Sequence, residues 1–199
     1  VARNTAAAAV FRSLGATVEE VDIGWVHEDI VKGCSAHFCT VFGPWIAKVA
    51  AEHRDLLTPY ANAFAERMRA VKTEHYLESL EIEGRMYAKL GKLLQRYRLL
   101  LCPTLPVPSI KAGEDYVDTP LMINGKPQAS IEDWLMTICF NMMSRCPVMS
   151  VPSGLASTGV PTGLSIVGRT YDDVSVFRAA AAFERARPWL DVPARRPKL

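Results

Sequence analysis

The sequence lacks any long hydrophobic run and any excess of one charge. No apolar stretch approaches the roughly 18 residues that a membrane-spanning helix needs. Twenty-three lysines and arginines face 21 aspartates and glutamates, so the formal net charge of the 199-residue chain is only +2. Such a balance produces no strong field toward a polyanion or a membrane surface. The composition therefore predicts a folded protein with no membrane partner, and it disfavours a nucleic-acid partner.

The sequence also lacks a disulfide framework and a secretory pattern. Five cysteines are an odd number in a chain that is large enough to fold without covalent staples. The first residues show no signal-peptide pattern. These features predict reduced thiols and a cytoplasmic location.

A metal centre and a bound cofactor are not predicted either. One segment places two histidines and two cysteines close together: His27, Cys34, His37 and Cys39. On a helix, Cys34 and His37 would share a face with hydrophobic residues, whereas Cys39 would point elsewhere. This pattern favours a packed helix face over a metal site. No phosphate-binding loop or dinucleotide fingerprint is present, so no cofactor is predicted.

No short catalytic motif is complete. Gly163–Gly168 is one residue too long for the G-x-S-x-G turn of serine hydrolases, and its serine lies within a predicted strand. All four histidines precede residue 76, so Ser150 and Ser153 have no histidine in their own segment, and we interpret them as structural. Cys146 follows Arg145, whose charge could lower the pKa of the thiol. A buried small side chain is nevertheless the favoured interpretation of Cys146.

The sequence does contain an alternation of helical and strand-like segments, which predicts the α/β class. Helices are expected at 2–14, 28–51 with a break near Gly43–Pro44, about 60–97, 131–143 with Ser130 as N-cap, and after the paired aspartates 172 and 173. Short strands are expected at Thr17–Ile23, Leu99–Cys102, Val148–Val151 and Leu164–Val167. Residues 104–130 have no sustained periodicity and predict a long loop after a strand end, where ligands often bind.

The helical segment near residues 60–97 carries two patterns. A 4-3 spacing predicts one buried face that only Glu83 interrupts: Tyr76, Leu80, Tyr87, Leu90, Leu94 and Tyr97. A basic run with no acid between its members follows: Arg85, Lys89, Lys92, Arg96 and Arg98. A solvated helix face is favoured over a polyanion site for this basic run, because the aromatic residues lie on the buried side.

Two late segments carry a family resemblance: CPVMSVPSG, which begins at Cys146, and GVPTGLSIVGRTYDDVSVFRAAAAFE, which begins at Gly159. They resemble the C-terminal signature of the amidase-signature family, N-x-x-G-x-P-A-x-S-V-P-x-G, then G-x-P-x-G-L-Q-I-V-G and paired acids that open a helix. The stretch LLLCPT, which begins at Leu99, is similar to the family's apolar strand ending in Pro-Thr. Ser165 stands where the family usually has glutamine. The resemblance covers essentially the whole chain and is most specific across 97–187.

This resemblance implies one mixed β-sheet flanked by helices on both faces, with strands from both halves of a longer chain. Residues 1–199 would be the C-terminal portion of that single domain. Family chemistry rests on a serine, a second serine in a cis peptide and a lysine, all in the N-terminal half. No such glycine- and serine-rich stretch occurs here. The resemblance therefore implies an amide hydrolase as the whole protein, the N-terminal half as partner, and no catalytic residue or amidase activity in these residues alone.

The resemblance also implies which residues lie on the substrate side of the cleft. They belong to the Pro-Thr loop and to the segment around the family's asparagine: Thr104, Asn141, Arg145 and Cys146. In the tRNA-dependent amidotransferases, whose amidase component belongs to the family, an acid shortly before that asparagine helps to hold an amino acid. Asp133 is the nearest match, one residue out of register. We expect these five residues to bind a small-molecule amide substrate.

Two other functions stay open at this point. The chain could be a stand-alone binding or regulatory module that keeps half of the fold without the chemistry. It could also belong to the amidase component of a tRNA-dependent amidotransferase, with the basic run near RNA. An exposed sheet edge would favour self-association, so a homo-oligomer is open as well. The altered segment Asn141–Pro147 favours a general amidase.

Overall fold

The computed structural model describes residues 2–128, 130 and 133–196. Helices α1 to α6 span Ala2–Ser13, His27–His53, Pro59–Arg69, Thr73–Arg96, Ile138–Met143 and Asp173–Ala186. Strands β1 to β5 span Leu99–Pro103, Leu121–Ile123, Lys126–Gln128, Val148–Leu155 and Pro161–Gly168. Short 3-10 turns occupy Arg54–Leu56 and Pro193–Arg195. The predicted α/β class is confirmed.

The chain forms two compact units. The first comprises Val1–Ile23, Gly91–Pro108 and Ser144–Leu199, and the second comprises Gly24–Leu90 and Ser109–Met143. That these residues form the C-terminal portion of a single larger domain stays a prediction.

The first unit is built on an antiparallel three-stranded sheet with the order β1-β5-β4. Because side chains alternate along a strand, Leu164 and Ile166 point to one face of the sheet and Ser165 to the other. Helices α1 and α6 pack on the face of Leu164 and Ile166, which gives the sheet its helical flank. The core there comprises Ala7, Phe11, Val151, Leu164, Ile166, Val176, Ala180 and Phe183.

The turn from β5 into α6 depends on Gly168 and Asp172. A Cβ at Gly168 would lie 2.5 Å from Val176 Cγ2 and 3.2 Å from the carbonyl oxygen of Asp172, so no larger residue fits without movement. Asp172 then caps α6, because its carboxylate accepts a hydrogen bond from the Ser175 N–H at 3.2 Å. The hydrogen bonds from Ser175 lower the pKa of Asp172. The paired aspartates therefore begin a helix, as predicted.

The second unit contains α2, α3, α5, most of α4 and the hairpin β2-β3. Helix α2 runs without interruption through Pro44, so the predicted break is wrong. Cys39 packs with Phe64 and Met68 in a small core, which corrects the expectation that Cys39 points away from the buried side. The Thr58 hydroxyl accepts a hydrogen bond from Ala61 N at 3.2 Å and thereby begins α3.

Three predicted segments differ in extent or type. Thr17–Ile23 is not a strand, because alternation alone forms no strand where no neighbouring strand pairs with it. The predicted helix at 60–97 is two helices, α3 and α4, separated near residues 70–72. The loop at 104–130 contains the hairpin β2-β3, which turns at Asn124 and Gly125, both with positive φ.

The predicted helix at 131–143 is also corrected, although Ile131 and Glu132 lie outside the described residues. An α-helix spans only Ile138–Met143. Ser130 does not cap it, since the helix begins only at Ile138. The Ser130 backbone N–H donates to Asp133 Oδ2 at 3.0 Å, a local bond between two residues that precede the helix.

The buried face of α4 follows only part of the predicted stripe. Among the stripe positions, Glu83, Leu90 and Leu94 are buried, whereas Leu80 is 41% exposed. The residues that α4 buries most deeply are Ser79, Ile82, Glu83, Met86, Leu90 and Leu94. Tertiary packing therefore shifts the buried face toward Ser79, Ile82 and Met86 in the first part of the helix and keeps the predicted face at Leu90 and Leu94.

Candidate functional site

A cleft of about 680 Å³ opens in the first unit where β1 leads into the long loop. Its lining combines aliphatic and proline side chains with a few polar ones, drawn from residues 2–4, 104–108, 150–152, 156, 157 and 161–163. Concave surfaces of this mixed character are typical of small-molecule sites.

Hydroxyl groups from three strand segments meet at this cleft. Thr104 Oγ1 lies 2.8 Å from Ser150 Oγ and 3.1 Å from Ser165 Oγ. The register places Ser150 opposite Ser165 on the neighbouring strand, and the Thr104 N–H donates to the Gly163 carbonyl at 3.1 Å. Both the backbone and the side chain of Thr104 are therefore fixed at the rim of the cleft.

Gly163 makes room for this hydroxyl row. A Cβ at this position would lie 2.6 Å from Thr104 Oγ1 and 2.9 Å from Ser150 Oγ. Threonine and serine side chains are too short to swing away from such a contact without moving the strands. Any larger residue at position 163 would therefore disrupt the row.

The predicted substrate residues fall into both units. Thr104 lines the cleft, whereas the lining drawn from the described residues includes neither Arg145 nor Cys146, which precede β4 in the same unit. Asp133 and Asn141 belong to the second unit, where Asn141 is exposed on α5. The substrate roles of these five residues stay predictions.

Cys146 is a buried thiol, and its surroundings shift the pKa of that thiol in both directions. Burial raises its pKa, while a hydrogen bond with Thr170 and the charge of Arg145 lower it by less. The expected effect of Arg145 is therefore present, but burial outweighs it. Because the thiolate is the nucleophilic form, this thiol is poorly suited to attack at neutral pH.

Cys102 gives a pH-dependent prediction for stability. Burial raises the pKa of its thiol from 9.0 to about 11, so the unfolded state releases this proton first as the pH rises. The free energy of unfolding is therefore expected to fall by about 2 kcal/mol between pH 9 and pH 11 through this group alone. Urea unfolding of the wild type and of Cys102→Ser across this range measures it.

The Cys102→Ser variant supplies the reference for that experiment, because a serine hydroxyl does not ionise there. The difference in free energy between wild type and variant should shrink above pH 9. A constant difference from pH 7 to pH 11 would show that the folded thiol ionises as readily as the unfolded one.

The segment with two histidines and two cysteines is part of a packed helix. Cys34 and Cys39 are buried in α2, and burial lowers the pKa of the half-buried His37 more than the nearby Glu83 raises it. Within the described part of the chain, no group of three or more His, Cys, Asp or Glu side chains could hold a metal ion. None of the five cysteines, all of which lie among the described residues, forms a disulfide.

Three of the five residues of the basic run bind a neighbouring element, each within the unit to which that residue belongs. Arg85 pairs with Asp29 at 3.4 Å, and Lys89 donates to the Gly24 carbonyl. In the first unit, Arg96 pairs with Glu19 at 2.8 Å. These contacts are those of a solvated helix face whose cations bind neighbouring elements, as the sequence predicts.

Helix length and composition also bear on the membrane question. Across residues 2–128, 130 and 133–196, none of the helices combines the length and the apolar character that crossing a membrane requires.

Ser150 and Ser165 are the site residues that sequence reasoning misses. Within its own segment, Ser150 is interpreted as structural and Ser165 as a departure from the family's glutamine. Their proximity to Thr104 depends on the pairing register of β1, β5 and β4. The available signal is the run of hydroxyl residues near the start of β4, the middle of β5 and the end of β1.

An antiparallel sheet with a helical flank, and a polar-rimmed cleft where β1 ends, describe an α/β protein with a candidate small-molecule site. A profile of the Amidase family matches residues 3–177. The chain belongs to this family.

Individual relatives support the assignment. An amidase from Pseudomonas putida is 25% identical over 186 residues, which cover 89% of this chain and 37% of that protein. The A component of the glutamyl-tRNA(Gln) amidotransferase from Thermosynechococcus vestitus is 30% identical over 115 residues, or 58% of this chain and 22% of that protein. The crystal structure of a bacterial aryl acylamidase of the amidase-signature family superposes with a TM-score of 0.79 at 30% identity, covering 98% of this chain and 42% of that one.

All three of these relatives are longer than this chain. The chain spans less than half the length of each of these relatives.

Proposed function

We propose that these residues are the C-terminal part of an amide hydrolase, and that they supply sheet strands and one wall of its substrate pocket. The remainder of a longer chain would supply the serine, cis-serine and lysine of the reaction. One observation carries the proposal: nearly the whole chain superposes on part of an aryl acylamidase. The polar-rimmed cleft at the Pro-Thr loop supports the assignment of a pocket wall.

The substrate class follows from the same comparison. We propose a small amide with an aromatic group on the amide nitrogen, as the relative's name implies for that protein. The lining supports this choice, because the prolines and valines at 106–108, 151, 152 and 161 offer apolar surface to an aromatic ring. The Ser150 hydroxyl, held 2.8 Å from Thr104 Oγ1, offers a hydrogen bond to the amide group.

Thr104 provides the first test of this pocket. Thr104→Val keeps the shape of the side chain and removes the hydroxyl. In the whole protein, the kcat/KM for 4-nitroacetanilide is expected to fall about tenfold, since Ser150 loses the hydroxyl partner that orients it toward the substrate. Steady-state kinetics with purified protein measure the effect.

Thr40→Val is the matched control for this test. The Thr40 hydroxyl donates to the Ala36 carbonyl at 2.8 Å within α2, far along the chain from the Pro-Thr loop. Its kcat/KM should stay within twofold of wild type. If the whole wild-type protein cleaves neither 4-nitroacetanilide, benzamide nor an aliphatic amide, the proposed function is wrong.

The tRNA-dependent amidotransferase is the second candidate, because components of that enzyme are among the relatives. The match to the Thermosynechococcus vestitus protein covers a smaller share of this chain than the amidase match does. In addition, Arg85 and Arg96 of the basic run already pair with acidic residues of this chain. Salt-dependent binding of tRNA by the whole protein would favour the amidotransferase. Amide hydrolysis without tRNA binding would favour the amidase.

Location and assembly belong to the same proposal. Five cysteines outside any disulfide support the cytoplasm as the compartment. Size-exclusion chromatography of the whole protein would establish whether it forms a homo-oligomer. The intact mass of the polypeptide from its own cell would separate an enzyme part from a stand-alone module, which would be a stable product of 22.0 kDa.

A further inference from the structure

The hydroxyl row at the cleft connects a buried group with an exposed one. Ser165 lies on the central strand β5 and is 2% exposed, whereas Ser150 on β4 is exposed to the cleft. Thr104 lies between them, with its hydroxyl oxygen 3.1 Å from Ser165 Oγ and 2.8 Å from Ser150 Oγ. The row therefore leads from the interior of the sheet to the ligand side.

Burial decides the direction in which this row donates. A hydroxyl carries one proton and can accept further hydrogen bonds. Within the described residues, the Ser165 hydroxyl has one hydrogen-bond partner, Thr104 Oγ1. If Ser165 accepted from Thr104, its own proton would be buried without an acceptor, which proteins avoid. Ser165 therefore donates to Thr104.

The directions of the other hydrogen bonds in the row follow because each hydroxyl carries one proton. Thr104 accepts from Ser165 and uses its own proton toward Ser150, 2.8 Å away. Ser150 then accepts from Thr104, and its own proton is left for a group in the cleft. Hydrogen bonds in such a chain polarise one another, so the last donor is strengthened.

Gly163 preserves this arrangement. A Cβ on residue 163 would lie within 3 Å of both the Thr104 and the Ser150 hydroxyl oxygens. The absence of a side chain there keeps the two oxygens at hydrogen-bond distance from each other.

We propose that Ser150 is a substrate-binding residue whose hydroxyl donates a hydrogen bond to the carbonyl oxygen of the bound amide, and that Ser165 is a positioning residue that sets the direction of this donor. The inference rests on the proposed function, because it takes the cleft as the amide site. It assigns a binding role to Ser150, which is interpreted as structural when only its own sequence segment is considered.

The test compares three variants of the whole protein with 4-nitroacetanilide as the probe. Ser150→Ala is expected to lower kcat at least tenfold with a smaller change in KM, because the carbonyl oxygen gains negative charge in the transition state and a hydrogen bond to it strengthens there. Ser150→Thr keeps the hydroxyl and should restore kcat to within threefold of wild type. Ser165→Ala should lower kcat about fivefold, since Thr104 then loses the partner that fixes the direction of its proton.

Ser153→Ala is the matched control on the same strand. The Ser153 hydroxyl is buried and lies 2.8 Å from Thr162 Oγ1, outside the hydroxyl row. This variant should lower thermal stability while kcat stays within twofold of wild type. A fall in kcat for Ser153→Ala equal to that of Ser150→Ala would show a general effect of weakening β4 and would overturn the inference.

The outcomes separate this inference from the proposed function. Turnover by the wild type with an unchanged kcat in Ser150→Ala overturns the role of Ser150 alone. Absence of turnover with any amide in the panel overturns the proposed function and the inference together. A kcat that falls in Ser150→Ala and recovers in Ser150→Thr supports both.

Discussion

Phe183→Ala is expected to lower the free energy of unfolding by about 4 kcal/mol, because it empties the centre of a core. Phe183 is 1% exposed and stacks on Phe11 at 5.5 Å between ring centroids. Truncation removes that contact and leaves a cavity between α1, α6 and the sheet, which the surrounding strands cannot fill. Urea unfolding followed by circular dichroism measures the change.

The same helix supplies the control. Phe177 is 62% exposed on α6, so Phe177→Ala removes the same number of atoms with little loss of buried contact. It should change the free energy of unfolding by less than about 0.5 kcal/mol. Equal losses for the two variants would contradict the assignment of Phe183 to the core between α1 and the sheet.

Gly168→Ala is expected to destabilise the protein by about 3 kcal/mol through overpacking. The added methyl group would lie 2.5 Å from Val176 Cγ2, 3.1 Å from Pro147 Cγ and 3.2 Å from the Asp172 carbonyl oxygen. Valine is stiff at χ1 and this one is buried, so the conflict requires movement of α6 relative to β5. Chemical unfolding of the purified variant provides the measurement.

Gly84→Ala is the matched glycine control. No atom lies within 4 Å of the added Cβ at this helical position on α4, and alanine favours the helix more than glycine does. This variant should be more stable than wild type by up to about 1 kcal/mol. If Gly168→Ala were also neutral or stabilising, the close approach of β5 and α6 would be wrong.

Features fixed by local chemistry can be predicted from the sequence. The strands at Leu99 and Val148 are apolar runs bounded by proline, and α6 begins where Asp172 can cap it. Features fixed by distant partners cannot. Thr17–Ile23 has a strand pattern but no neighbour to pair with, and Pro44 is accommodated within α2.

The cleft shows the same division. Thr104 is predictable because the Pro-Thr motif is local and specific to the family. Its contacts with Ser150 and Ser165 depend on a pairing register between strands more than 40 residues apart in sequence, which no local pattern reports. The sequence predicts Asp133 on a helix, but the α-helix of this segment begins only at Ile138.

The segmented make-up of the first unit has a consequence for biosynthesis. Its sheet pairs Leu99 with Gly168, and its core packs α1 with α6. The intervening residues 24–90 and 109–143 belong to the second unit. At about 5 to 20 residues per second, α1 leaves the ribosome roughly 10 to 30 s before β5 is made. During that interval Phe11 and Ala7 lack the β4, β5 and α6 residues that cover them in the folded unit. We expect the first unit to commit to its fold only after α6 emerges.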